Sequence, residues 1–173
     1  MTHGFLIRRA TEADAEAVAR LSGTLGYAAA AEVTRERLRA IIGSDSDWVV
    51  VAVDSDERVV GWLQAHAARI VESGFRVEIT GMVVAPELRR RGVGRLLVAE
   101  AERWASDRSA EAIVVRSNVE RVESHSFYPA LGYRLSKTQN VYKKIATIVG
   151  TALAEPGSRR LPTGSSSDDQ RRG

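Results

Sequence analysis

The chain has 173 residues, 44% apolar and 27% charged, with a formal net charge of +3. That length suits one domain with a core of its own. It contains no cysteine, which excludes a disulfide framework, a thiol nucleophile and cysteine metal sites together. Aromatic residues make up 6%, and the basic excess is partly concentrated in one turn, which argues for a local anion site rather than a nucleic-acid surface.

The first residues hold no apolar run long enough for a signal peptide or membrane span, so a cytoplasmic protein is expected. Phe5–Arg9 reads as a short strand. Thr11-Glu12-Ala13-Asp14 is a capping-box start for a helix whose stripe is Ala17, Val18 and Leu21. After an ambiguous connection holding Tyr27, a second helix is predicted from Thr34 to Ile42, with Leu38, Ile41 and Ile42 inward. Trp48–Val53 is a β-branched run, as expected of a strand covered on both faces. Val59–His66 returns as its hairpin partner. A turn at Glu72–Gly74 leads into the strand Phe75–Val84. Strict alternation would put Phe75, Val77, Ile79, Gly81 and Val83 on one face, and Arg76, Glu78, Thr80, Met82 and Val84 on the other.

After Pro86 comes the turn Arg89-Arg90-Arg91-Gly92-Val93-Gly94-Arg95, then a helix to about Arg108 with Val93, Leu97, Ala101 and Trp104 on one side. Glycines admit a ligand close to backbone N–H groups, and a helix start with four arginines suits phosphate oxygens. Ile113–Val115 is the next strand. Glu120 to about Leu131 is a helix with Val122, Phe127 and Leu131 inward, stopped by Gly132. Tyr133–Leu135 and Asn140–Ile145 read as two final strands. Residues 150–173 turn to Gly, Ser, Pro, Arg and Asp and are expected to be a disordered tail after a domain spanning 1–149. Leu161-Pro162-Thr163-Gly164 in that tail lacks the pattern and the apolar anchor of a sorting signal.

The order β-α-α-β-β-β-α-β-α-β-β predicts an α/β (α+β) domain, with a mixed, largely antiparallel sheet and about four helices. The strand–helix–strand unit from residue 75 to 115 should be a right-handed parallel crossover. A dinucleotide fold places its glycine loop after the first strand of its run; here the loop follows three hairpin-like strands. Three scattered histidines and no cysteine give no metal pattern.

These residues resemble the GNAT superfamily of acyl-CoA-dependent N-acetyltransferases. The family's (Arg or Gln)-x-x-Gly-x-(Gly or Ala) motif is matched by Arg89-x-x-Gly92-x-Gly94, approached through Met82-Val83-Val84-Ala85-Pro86. A second match runs from Ser117-Asn118 through Arg121, His125 and Phe127-Tyr128 to Leu131-Gly132-Tyr133. The resemblance covers roughly residues 4 to 146. It implies acetyl-CoA as donor and a primary amine as acceptor, a small molecule or a peptide. The backbone of Met82, Val83 and Val84 would pair with the pantetheine arm, and Arg89, Arg90, Arg91, Gly92, Val93, Gly94 and Arg95 would hold the pyrophosphate. Many members carry an Asn seven residues before the Tyr; Arg121 stands there, and Asn118 is the alternative cofactor contact.

The chemistry needs a proton acceptor, because an alkyl ammonium with a pKa of about 10.4 is protonated at neutral pH. Glu78 is the candidate base, against a rival role in a strand-face ion pair. An N–H near Met82 or Val83 is the candidate oxyanion donor. Tyr128 is the candidate acid for the departing thiolate, against a rival role in packing. Tyr27 is a candidate for the acceptor pocket, as is His125, for which a surface role competes. His66, Trp48 and Trp62 read as structural. A catalytically idle CoA-binding sensor and a transferase for longer acyl chains are the alternatives. Family members are commonly dimers, so a homodimer is open, and the amine is unnamed.

Overall fold

The computed structural model describes residues 4–145. The expected tail from residue 150 lies outside them. The elements are β1 (Leu6–Arg9), α1 (Ala15–Gly23), α2 (Ala31–Ile42), β2 (Asp47–Val53), β3 (Val59–Ile70), β4 (Gly74–Val84), α3 (Val93–Asp107), β5 (Ala112–Val115) and α4 (Val122–Phe127). The strands form one sheet in the order β1-β2-β3-β4-β5. Every pairing is antiparallel except β4 with β5. The architecture is the mixed, largely antiparallel sheet with four α-helices that the element order predicts. None of the described helices is long and apolar enough to cross a membrane.

The sheet is the middle of three layers. The helix α3 covers the face that carries Val50, Leu63 and Ala65, burying Val93, Leu97, Ala101 and Trp104 against it. Trp104 stacks on Trp48 of β2 with ring centroids 5.6 Å apart. The helices α1 and α2 cover the other face, which is why β2 is apolar on both sides and buried from Val49 to Val53. Their start is tied down by Asp14. Its carboxylate accepts from Arg8 at 2.8 and 2.7 Å and from the Thr11 N–H at 2.8 Å, the expected capping box. Burial alone pushes this carboxyl up, but the bonds from Arg8 and Thr11 outweigh it and hold it below the usual range.

The alternation expected along β4 breaks at a bulge. Ala65 of β3 faces Ile79 and Gln64 faces Gly81, so Thr80 is an extra residue. Val77 and Ile79 keep the α3 face, whereas Gly81 and Val83 turn to the α1/α2 face. Glu78, opposite His66, and Val84, opposite Gly61, therefore lie on opposite faces, not the same one.

The end of the chain also departs from expectation. Neither Tyr133–Leu135 nor Asn140–Ile145 forms a strand. Leu135, Val141, Tyr142 and Ile145 are all more than 80% exposed, and β-propensity is largely the packing of side chains against strand neighbours. Val122 is exposed rather than inward, and α4 ends at Phe127, followed by a tight turn at Pro129–Leu131. At its other end α2 begins at Ala31, earlier than expected.

Candidate active site

The site is built where β4 and β5 part. Their parallel pairing runs only from Arg76–Ala112 to Ile79–Val115. Beyond it the bulge at Thr80 turns β4 while β5 runs out into Arg116, Ser117 and Asn118. The stretch Thr80–Val84 thus keeps β3 on one side and, among the described residues, has no strand on the other. The Ala85 N–H donates to Val60 C=O at 2.8 Å. By the alternation of an antiparallel ladder, the backbone groups of Val83 face β3, and those of Met82 and Val84 face the open edge.

That edge leads into the arginine turn. Arg90 and Gly92 both have left-handed backbones, with φ of 62° and 88°. The first bond of α3 runs from Leu96 N–H to Gly92 C=O at 3.1 Å, so the amides of Val93, Gly94 and Arg95 have no partner within the helix. A Cβ on Gly92 would meet nothing within 4 Å. Gly94 is different, because a Cβ there would lie 3.2 Å from the Phe127 ring, so this glycine lets α4 pack on the first turn of α3. Arg89, Arg90, Arg91 and Arg95 are exposed. Arg89 lies 3.8 Å from Glu123. The free amides, the open space at Gly92 and the unpaired strand edge fit an extended ligand ending in phosphates.

A cavity of about 380 Å³ lies on the α1/α2 face beside the same edge. Tyr27 of the α1–α2 connection and Arg37 and Leu38 of α2 form one wall, Val49, Trp62 and Gln64 its floor, and Met82, Asn118 and Tyr128 its end at the fork. Gly81 is needed there: a Cβ would sit 2.9 Å from the Trp62 ring. Tyr128 stands against Phe127 and Tyr133 in edge contacts at 5.1 and 5.6 Å. Burial pushes its phenol above the ordinary value, with Arg121 pulling more weakly the other way. It therefore keeps its proton across the neutral range.

The structure brings some of the expected site residues together and separates others. Met82, Asn118, Tyr128 and Tyr27 meet at the cavity, with Tyr27 well exposed. The Asn118 Oδ1 accepts the Glu120 N–H at 3.1 Å, which leaves its NH₂ free to reach a ligand. Glu78 is not on the wall. Its Oε1 accepts from Arg116 at 2.8 Å, and Arg76 lies 3.4 Å from its Oε2, the ion-pair arrangement weighed against a base. His125 is exposed on α4 and away from the cavity. His66 has a partner that the sequence did not suggest, Asp47 on β2 at 3.1 Å. Arg37, Arg116 and Arg121 were missed as a group, although all three line the cavity. The departure at Arg121 was the only signal of them. Among the described residues, no group of three or more His, Cys, Asp or Glu is placed to hold a metal ion.

The model of the acetyltransferase (GNAT) family matches residues 15–133. The chain belongs to that family. Among curated relatives, this acetyltransferase is 30% identical over 131 residues to an aminoglycoside N(6')-acetyltransferase type 1 of Stenotrophomonas maltophilia, covering 73% of this chain and 84% of that one. It is 33% identical over 79 residues to an aminoalkylphosphonate N-acetyltransferase of Salmonella typhimurium, covering 45% and 51%. Among solved structures, an aminoglycoside 6'-N-acetyltransferase of Acinetobacter baumannii superposes with a TM-score of 0.72 at 21% identity, over 83% of this chain and all of that one. An aminoglycoside N-acetyltransferase in complex with CoA gives 0.74 at 21% identity, over 83% and 97%. These likenesses confirm the fold.

Proposed function

We propose that the enzyme transfers an acetyl group from acetyl-CoA directly to a primary amine in a ternary complex. In balance, R–NH₃⁺ and acetyl-CoA give R–NH–CO–CH₃, the CoA thiol and one proton. The co-substrate supplies a thioester whose carbonyl carbon takes the amine nitrogen as its C–S bond breaks. One juxtaposition carries the reading: the open edge of β4 runs from the cavity that holds Tyr128 to the free amides at the start of α3.

On this reading Met82, Val83 and Val84 bind the pantetheine arm as an added strand. Arg89 through Arg95 hold the pyrophosphate by backbone amides and guanidinium groups. The Met82 N–H, on the open edge, donates to the thioester oxygen as charge develops there. Tyr128 donates a hydrogen bond to the leaving sulfur. Ordinary phenol and thiol pKa values of about 10 and 8.5 make complete proton transfer uphill by about 2 kcal/mol, and burial adds to that. Tyr128 is thus a donor that steadies the thiolate rather than an acid that gives up its proton.

Among the described residues the cavity wall carries neither carboxylate nor imidazole. The ammonium therefore loses its proton through water. Arg37, Arg116 and Arg121 favour that loss, since like charge disfavours the protonated amine. Glu78, with Arg116 as its partner, acts as a positioning residue for this wall.

The relatives named for acetylating aminoglycosides and aminoalkylphosphonates support a small-molecule amine as acceptor. The test is thiol release from acetyl-CoA across an amine panel, with the product weighed by mass spectrometry. Amine-dependent thiol release matched by N-acetyl product is expected. Tight CoA binding without turnover of any amine would make the protein a CoA-binding sensor. Faster turnover with a longer acyl-CoA would change the donor.

A further inference from the structure

We propose, building on the transferase reading, that the acceptor is a small primary amine carrying an oxyanion, a carboxylate, phosphonate or phosphate, and not a polycation. The cavity is lined by three arginines from separate elements: Arg37 from α2, Arg116 just past β5 and Arg121 at the start of α4. No Asp or Glu lines it among the described residues.

The neighbours of Arg37 show that this is not the general state of arginine here. Along the same helix, Arg35 pairs with Glu32, and Arg39 pairs with Glu12 at 2.7 Å. Both lie outside the cavity. Arg37, on its wall, has no carboxylate partner among the described residues, and neither has the Arg121 side chain. Arg116 has one, Glu78 at 2.8 Å, which fixes it while its remaining N–H groups stay available. Glu78 itself has Arg76 on its other oxygen, so the cluster keeps a positive excess.

Guanidinium forks recognise carboxylate and phosphoryl oxygens in pairs of hydrogen bonds. Arg121 also stands near enough to Tyr128 to influence its titration, which puts the anion-binding wall beside the reacting end. An amine with an oxyanion a few bonds away can anchor its charge on this wall and present nitrogen at the fork. A polycationic amine would meet this positive excess on a wall that offers it no carboxylate.

The experiment measures kcat/KM of the full chain with acetyl-CoA for amines of matched length. They end in carboxylate, phosphonate, phosphate or neutral hydroxyl, with neamine and spermidine as polycations. The oxyanion amines should exceed the hydroxyl amine by about 100-fold, given charge-assisted bonds to arginine, and the best of the three arms names the oxyanion. Arg37→Gln and Arg121→Gln should each cut that preference about 10-fold or more, mainly through KM. Arg37→Lys should restore part of it, and Arg35→Gln, off the wall, should leave it intact. Calorimetric titration of the same amines into the CoA complex gives a readout independent of turnover. Arginine-dependent binding without acetylation would keep this inference and overturn the transferase reading. Acetylation preferring neamine, spermidine or the neutral amine would do the reverse, as would a preference unmoved in both glutamine variants.

Discussion

The donor half of the site and the acceptor half are built in different ways. The donor half is one continuous stretch from Thr80 to Arg95, and much of it works through backbone: an open strand edge, free amides and a glycine with empty space beside it. The acceptor half gathers residues from α1, α2, four strands and the segment around α4. Local chain geometry fixes the first. The second exists only after α1 and α2 pack across the sheet. A backbone site accepts one constant ligand, whereas a side-chain site can change its partner by changing a few residues.

The sharpest break in this comparison falls where the halves meet, at Tyr128. Tyr128→Phe should lower kcat by about 10- to 1,000-fold, in the range of acid–base and hydrogen-bond effects, with CoA affinity nearly unchanged. Because burial raises this phenol, no alkaline fall in kcat due to Tyr128 should appear below pH 10, the ordinary phenol value. Unchanged kcat in the variant would remove Tyr128 from the mechanism.

A change confined to the donor half comes next. Gly92→Asp places a carboxylate among four arginines, at a backbone with φ of 88°. CoA affinity should drop by about 10-fold or more, through charge repulsion and left-handed strain. Titration of CoA into the variant measures it, and unaltered affinity would mean that the phosphates bind elsewhere. The acceptor half is tested more gently by Glu78→Gln. Loss of the Arg116 partner should raise the acceptor KM several-fold, about what one exposed-side ion pair is worth. It should leave the acidic limb of the kcat profile in place. Disappearance of that limb would instead make Glu78 the base.

Legibility in the sequence follows the same division. The donor loop could be read because its determinants are contiguous: Pro86, the arginines, Gly92 and Gly94, followed by the stripe of α3. The β-branched run of β2 likewise announced a strand covered twice. Thr80 could not be recognised as a bulge, since alternation counts residues and a bulge adds one without changing composition. The face of Glu78 relative to Val84 was therefore misread. The last two expected strands failed for a related reason. Val141, Tyr142 and Ile145 have strand propensity, but propensity is a preference that counts only where a strand partner is present. Arg37 was hidden among its neighbours, because Arg35, Arg37 and Arg39 look alike in a helix and only packing shows which one faces the cavity.

The account turns on both substrates being held at once, the donor along β4 and α3 and the acceptor in the cavity, so that acetyl passes between them directly. Initial velocities measured with acetyl-CoA and an accepted amine both varied test this most directly. Lines that intersect in the double-reciprocal plot are the predicted result. Parallel lines, the mark of an acetyl group parked on the protein before the amine arrives, would contradict it.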